Sequence, residues 1–167
     1  MAVTRRLFDE DSRLTEFTAV VESCQADGRD YLVVLDQTAF FPEEGGQSCD
    51  RGTLAGQEVL HVSEKDHVIR HRVSRPIEPG TPVSGRIDWE KRFSDMQQHT
   101  GEHIISGLVH SMFGYDNVGF HLGSEYVTMD YNGVLTPEQL RQVEWRANRA
   151  VADNLTVGVS WPSPEEL

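Results

Sequence analysis

The strongest constraint on the fold comes from residues 92–112, where mainly apolar side chains recur every three or four positions. This period predicts an amphipathic helix from about Trp89 to Phe113, with Asp88 as a candidate N-cap and Gly114 just beyond the helix end. The stripe consists of Phe93, Met96, Thr100, Ile104, Leu108 and Met112.

The same helix carries two histidines, His99 and His103, four residues apart. At 3.6 residues per turn they lie on one face. Two neutral imidazoles placed in this way can bind one divalent cation, most often zinc. The alternative is a pair of histidines on a solvated face, and the spacing alone leaves both open. His110 lies roughly 10 Å further along the axis, so we interpret it as a surface or packing residue.

Strand patterns dominate the chain before this helix. Runs of apolar and β-branched residues predict strands over 13–24, 31–35, 59–62, 67–73 and 83–88. The first two form a hairpin around Asp27-Gly28, a dipeptide that favours a tight turn. We interpret the histidines of this region, His61, His67 and His71, as surface positions on edge strands. Residues 1–12 show no period and predict a frayed lead-in.

After the helix, residues 119–131 predict two strands with a tight turn between them. Thr136, Pro137 and Gln139 then have the types expected at the N-cap, N1 and N3 positions of a second helix. Residues 156–161 predict a last strand. The boundary between strand and helix patterns near residue 88 divides the chain into segments 1–88 and 89–167.

A glycine-containing loop joins two of the predicted strands. Pro42 restricts the backbone there, while Gly45 and Gly46 permit conformations that other residues avoid and allow a ligand or another segment to approach closely. The alternative interpretation is a wide turn without a function.

The formal net charge is −12, which argues against general affinity for nucleic acid. The charge is uneven, because residues 65–92 hold seven basic and four acidic side chains, with Arg92 at the end. This segment indicates either a local RNA-facing patch or a solvated surface of mixed charge. No apolar run reaches the ~20 residues of a membrane span, and no hydrophobic core follows the N-terminus. We therefore expect a cytoplasmic protein without a membrane partner, whose two cysteines, Cys24 and Cys49, are free thiols.

Two segments resemble a known family. Residues 98–106, with His99-Thr-Gly-Glu-His103-Ile-Ile, resemble the first zinc motif of the alanyl-tRNA synthetase editing domain and of free-standing alanyl-tRNA editing proteins, roughly His-Thr-x-x-His-Leu-Leu. Residues 38–47, followed by Asp50 and Gly52, resemble its Thr-x-Phe-Tyr-Pro-x-Gly-Gly-Gly-Gln run and Asp-x-Gly. Glu44 stands where the family has the first of three glycines. The resemblance runs from about Thr15 to the C-terminus.

The resemblance implies an α+β fold, with a small antiparallel β-barrel-like domain over 1–88 and an antiparallel sheet packed with two helices over 89–167. It also implies zinc, with His99 and His103 as ligands. The family takes its other ligands from a downstream Cys-x-x-x-His motif, which this sequence lacks. We therefore expect either a shortened form of the family's domain or an incomplete site, which a third group such as His121 and a water could complete.

The implied activity is hydrolysis, in trans, of tRNA for alanine that is mischarged with serine or glycine. The candidate catalytic residues are Thr38, which would contact the seryl hydroxyl, Gln47 and His121, which lies in a segment resembling the family's Phe-His-x-Gly. The candidate substrate-binding residues are Thr38, Gly45, Gly46, Gln47 and Arg92. The sequence does not specify an oligomeric state.

Two alternatives use the same residues. The first is a non-catalytic domain of this fold, which keeps the glycine loop and binds tRNA but does not hydrolyse the ester. A metallopeptidase would use His99-Thr-Gly-Glu102-His103 as an inverted His-x-x-Glu-His motif, with Glu102 as general base.

Overall fold

The computed structural model describes residues 3–123, 125–160, 162–163 and 165. Along the chain the elements are β1 (Arg5–Arg6), α1 (Leu7–Glu10), β2 (Glu16–Asp27), β3 (Asp30–Leu35), β4 (Gln37–Thr38), β5 (Gly52–Leu54), β6 (Gln57–Lys65), β7 (Val68–Val73), β8 (Pro82–Ile87), α2 (Trp89–Phe113), β9 (Asn117–Leu122), β10 (Val127–Tyr131) and α3 (Pro137–Ala152). The predicted α+β class is confirmed.

The chain divides into two compact units. The first comprises Met1–Thr100 and Gly119–Asp130, and the second comprises Gly101–Val118 and Tyr131–Leu167. Helix α2 contributes residues to both. The predicted division into domains 1–88 and 89–167 stays a prediction, although β8 ends and α2 begins at that point of the chain.

Six strands of the first unit close into an antiparallel barrel in the order β2-β3-β7-β6-β5-β8. Each strand pairs with two neighbours, and β8 returns to β2 with Phe17 opposite Gly85. A Cβ at Gly85 would lie 2.3 Å from the Phe17 ring, so only glycine leaves room for that ring. The predicted barrel-like domain is therefore a closed barrel, and its first two strands form the predicted hairpin.

The barrel interior follows from the two-residue period of its strands. In β2, Phe17, Ala19 and Val21 are buried and the residues between them are exposed. The other buried apolar residues of the core include Val33, Leu35, Phe40, Leu54, Val59, Val62, Ile69, Val73, Val83 and Ile87. Each large apolar side chain that is fully buried contributes about 1.5–3 kcal/mol to the stability of the fold. This core therefore holds in place β4 and β5, the strands on either side of the glycine loop (residues 39–51).

Two predictions about the barrel were wrong. His71 is fully buried, not a surface residue, because it alternates in β7 with Arg70 and Arg72, which point outward. Within residues 3–12 the chain is not frayed, since β1 pairs in parallel with β4. The neighbouring Phe8 is buried.

The predicted α2 is confirmed from Trp89 to Phe113. The backbone N–H of Lys91 donates to Asp88 Oδ1 at 3.2 Å, which confirms the N-cap. Gly114 has a φ of +72° and its N–H donates to the His110 carbonyl at 2.8 Å, which closes the last turn.

In the second unit, α3 begins with the predicted capping box between Thr136 and Gln139. The predicted strand over 156–161 is wrong for residues 156–160, which form no strand. Val157 and Val159 are exposed there, and none of the described strands pairs with this segment. Trp161 lies outside the described residues. Of the helices that the structure describes, none is both long and apolar enough to cross a membrane.

Candidate functional site

The glycine loop, residues 39–51, lies directly against β9. Gly46 has a φ of +84°, and a Cβ on it would lie 2.2 Å from the Phe120 carbonyl oxygen. The Gly46 carbonyl accepts a hydrogen bond from the N–H of Leu122 at 2.9 Å. A residue with a side chain fits neither the backbone conformation nor the space at this position, so the close approach explains the glycine.

Gln47 links this loop to helix α2. Its amide oxygen Oε1 lies 2.6 Å from Nδ1 of His99. Because an amide oxygen can only accept a hydrogen bond, Nδ1 carries the proton, and Nε2 bears the lone pair of the neutral ring. The His99 ring also packs at 5.4 Å, centroid to centroid, from the Phe120 ring. The tautomer and orientation of His99 are thus fixed by the glycine loop and β9.

The loop, α2 and the β9–β10 hairpin line a polar cleft of about 610 Å³. Its lining includes Ser48, Arg51, Lys91, Gln98, His121 and Tyr126. His121 also lines a smaller adjoining cleft of about 270 Å³ together with Gly45, Gly46 and Gln47. The structure therefore brings four of the predicted site residues to one place, although they come from distant parts of the sequence.

Helix α2 holds a possible cation-binding group within its own turns. His99, Glu102 and His103 each offer one ligand atom, and these atoms lie within 4.8 Å of one another. Two imidazoles and a carboxylate are a donor set that zinc accepts in catalytic sites. The hydrogen bond from Nδ1 of His99 to Gln47 is of the kind that orients a ligating imidazole. The residues present therefore fit the metal that the sequence resemblance implies.

Glu102 is held by neutral donors in the second unit. Its Oε1 accepts hydrogen bonds from Ser106 Oγ at 2.5 Å and from Asn117 Nδ2 at 2.8 Å. Ser106 Oγ also lies 3.0 Å from the hydroxyl of Tyr131. The other oxygen, Oε2, lies 3.3 Å from His103 Nδ1. This network was not predicted, because its four residues are scattered over 30 positions of the chain.

Thr38 lies in the barrel core with no exposed surface. Its hydroxyl is 2.8 Å from His71 Nε2, and His71 Nδ1 is 3.2 Å from the Val33 carbonyl. Since the carbonyl can only accept, Nδ1 carries the proton and Thr38 must donate to Nε2. Burial lowers the pKa of His71 to about 4, so the ring is neutral near pH 7. The predicted contact between Thr38 and a substrate hydroxyl stays a prediction.

Arg92 is also buried, in an ion pair with Asp50. Its Nε lies 2.9 and 3.0 Å from the two carboxylate oxygens, and its other nitrogens donate to the carbonyls of Ser12 and Ala39. Asp50 Oδ2 additionally accepts from the N–H of Phe41 at 2.6 Å. The pair fixes both ends of the glycine loop to α2, while the predicted role of Arg92 in substrate binding stays a prediction.

Glu44, which replaces a glycine of the family motif, lies near Arg6, a cation that it shares with Asp9 and Glu64. Arg6 lies 3.5 Å from the Glu44 carboxylate and 3.0 Å from Asp9. Lys91 in the cleft is likewise paired, with Asp95 at 2.6 Å, and it donates to Ser48 Oγ at 2.9 Å. No local pattern in the sequence predicts these pairs beyond the abundance of charged residues.

Comparison with known proteins agrees with the motifs. A family model described as tRNA synthetases class II (A) matches residues 8–91. The alanyl-tRNA editing protein Aarsd1 of Rattus norvegicus is 36% identical over 167 residues, which is 92% of this chain and 40% of that protein. The alanine–tRNA ligase of Pyrococcus furiosus is 39% identical over 168 residues, 95% of this chain and 18% of the ligase.

The chain thus spans less than half the length of the curated relatives it matches. The matched residues 8–91 include the whole barrel and the glycine loop, and they make up half of the chain. The chain therefore belongs to the class II (A) tRNA synthetase family.

Proposed function

We propose that this chain is an aminoacyl-tRNA deacylase that hydrolyses, in trans, tRNA for alanine mischarged with serine or glycine. The observation that carries the proposal is the hydrogen bond between Gln47 and His99 at 2.6 Å. It joins the glycine motif and the histidine motif in one site. The similarity to proteins named for alanyl-tRNA editing supports the choice of substrate.

The cleft offers the groups that such a substrate requires. Arg51 stands on its wall and provides a cation for the phosphates of a tRNA 3′ end, whereas the neighbouring Lys91 is paired with Asp95. Gln98 and His121 provide polar groups that can orient the aminoacyl ester. Gln47 holds the His99 ring so that the lone pair on Nε2 has a defined direction. These residues bind and orient the ester for attack by water.

We propose zinc as the cofactor, with His99 and His103 as ligands and Glu102 as a third donor. When bound, zinc would supply Lewis-acid polarisation of the ester or a more acidic water. The buried position of Glu102 and its two neutral donors keep a carboxylate beside His103. The same hydrogen bonds occupy the oxygen Oε1, which disfavours Glu102 as the general base of a peptidase.

Thr38 belongs to this proposal as the residue that recognises the seryl hydroxyl. Because its own proton is donated to His71, its oxygen would accept a hydrogen bond from that hydroxyl. Thr38 has no exposed surface, so this contact requires local movement of the glycine loop. A site built around such a hydrogen bond favours Ser-tRNA over the correctly charged Ala-tRNA, and it predicts slower hydrolysis of Gly-tRNA than of Ser-tRNA.

The test is deacylation of Ser-, Gly- and Ala-tRNA for alanine by the 167-residue chain, with and without added zinc. We expect hydrolysis of Ser-tRNA above the uncatalysed rate, little hydrolysis of Ala-tRNA, and a fall of about 100-fold or more in the His99→Ala variant. His67→Ala, a change at an exposed histidine, is the matched control. Binding of tRNA without turnover in the presence of zinc would refute the deacylase and favour an accessory RNA-binding domain.

A further inference from the structure

A second group of reactive side chains lies at the base of the glycine loop. Cys49 Sγ is 3.5 Å from Nδ1 of His61 on β6. The other ring nitrogen of His61, Nε2, is 3.6 Å from Oε2 of Glu43. Glu43 and Cys49 stand on either side of Gly45 and Gly46 in the loop, and the imidazole is placed between them. Cys49 and His61 are not among the residues that line the two clefts.

The order thiol, imidazole, carboxylate is one that activates a cysteine. Nδ1 of His61 can take the thiol proton, and the carboxylate of Glu43 stabilises the imidazolium that results. A thiolate, unlike a thiol, attacks disulfides and other soft electrophiles. Cys49 is partly buried and packs against the barrel core, whereas the His61 side chain beside it is 41% exposed.

The other charges near this pair are already neutralised. Arg72 lies opposite His61 in the β6–β7 register, but its guanidinium is paired with Asp27 and with Asp30 at 3.7 Å. The neighbour of Cys49 in the chain, Asp50, is paired with Arg92. Among the described residues, the Glu43 carboxylate is the one that forms an ion-pair contact with the His61 ring, at 3.6 Å.

We propose that Cys49 is a thiol-modification site that reacts with disulfides of the glutathione class. In this step the Cys49 thiolate attacks one sulfur of the disulfide. A mixed disulfide forms at Cys49, the original S–S bond breaks, and one equivalent of the small thiolate leaves. His61 retains the proton from Cys49 and can pass it to the leaving thiolate. The small disulfide is the oxidant of this step, because its leaving sulfur is reduced to a thiol as Cys49 enters the mixed disulfide.

The chain contains its own control. Cys24, on β2, is also a partly buried free cysteine. Among the described residues, its thiol forms no hydrogen bond or ion pair. The two cysteines thus differ mainly in the imidazole and carboxylate beside Cys49. A difference in their reactivity reports on that arrangement.

The experiment is the reaction of the folded 167-residue chain with oxidised glutathione, followed by intact-mass and peptide analysis. We expect Cys49 to react about tenfold or more faster than Cys24 at pH 7. The variant His61→Gln should bring the Cys49 rate down to that of Cys24, while His67→Gln, which changes an exposed histidine, should leave it unchanged. Equal rates for the two cysteines, or a Cys49 rate that is unaffected by His61→Gln, overturn the proposal.

The pH dependence of the wild-type rate supplies a second test that needs no variant. An ordinary thiol, with a pKa of about 8.5, is only about 1% thiolate at pH 6.5. Cys49 should react measurably at that pH and faster than Cys24, because His61 can take the thiol proton as the sulfur attacks. Two superimposable pH–rate curves would overturn the proposal even if His61→Gln failed to fold. Neither test depends on tRNA hydrolysis.

Discussion

His71 gives the sharpest prediction about stability, because it is a titratable group with no exposed surface. In the folded chain it is held neutral between the Thr38 hydroxyl and the Val33 carbonyl. Burial lowers its pKa from 6.5 to about 4. Between these pH values the unfolded chain binds a proton at this residue and the folded chain does not. The free energy of unfolding therefore falls as the pH is lowered through this window.

The size of the effect follows from the two pKa values. A difference from 6.5 to about 4 corresponds to about 3 kcal/mol over the whole window, at about 1.4 kcal/mol per pH unit. Most of this loss in the free energy of unfolding occurs above pH 5. Lowering the pH from 7 to 5 therefore reduces the free energy of unfolding by about 2 kcal/mol. Stability from this source is complete above pH 6.5 and is lost progressively towards pH 4.

The assay is urea denaturation at pH 7 and pH 5 of the wild type and of the double variant Thr38→Val/His71→Leu. The double variant removes the titrating ring and the hydroxyl together, so neither of these two side chains is left buried and unpaired. The N–H of Phe40 loses its acceptor on Thr38 at both pH values, so this cost cancels in the comparison. Carboxylates titrate in both proteins and cancel in the comparison. The wild type should lose about 2 kcal/mol more than the double variant between the two pH values. Equal losses would show that His71 is protonated or solvated in the folded chain, and would refute the proposed hydrogen-bond directions.

Three further predictions concern the framework of the site and are measured by the free energy of unfolding in urea. Gly45→Ala should lower the free energy of unfolding by about 1–2 kcal/mol through its positive φ alone, since nothing lies within 4 Å of the new Cβ. Gly46→Ala should cost at least about 1–3 kcal/mol more, because its Cβ would meet the Phe120 carbonyl on β9. Equal costs would contradict the close contact with β9. Asp50→Asn should cost about 3–5 kcal/mol by leaving Arg92 buried and unpaired; a loss below 1 kcal/mol would show that the pair is solvated. Thr136→Ala should cost about 1 kcal/mol through the lost capping box of α3; no change would mean that the cap is not formed in solution.

The parts of the fold that the sequence predicted are those with a strong local signal. Helix α2 follows from a period that extends over six turns, and α3 follows from the local chemistry of Thr136 and Gln139. The β2–β3 hairpin follows from an Asp-Gly turn between two apolar runs. In each case the deciding contacts lie within a few residues of one another.

The errors arose where distant residues decide the outcome. His71 was assigned to the surface because histidine is polar, although Arg70 and Arg72 on either side of it already indicated an inward position. Its burial depends on Thr38 and Val33, which are 33 and 38 residues away. The N-terminal segment is ordered by pairing with β4, for which a sequence of charged residues gives no signal.

The candidate site also combines features that local sequence patterns predict with contacts between distant residues that they do not predict. His99 and His103 could be paired from their spacing alone, and the resemblance added the loop residues. The contact between Gln47 and His99 spans 52 positions, and no local pattern predicts it. The cluster of Cys49, His61 and Glu43 was missed for the same reason, because His61 stands on a different strand.

The central claim is that the glycine motif and the histidine motif act as one hydrolytic site through Gln47 and His99. A double-mutant cycle on Ser-tRNA deacylation tests it most directly, using Gln47→Ala, His99→Ala and the combined variant. If the two residues act as a unit, the combined variant should be no slower than the worse single variant within about threefold. Losses that multiply would contradict the claim, because they would mean that the two motifs contribute independently.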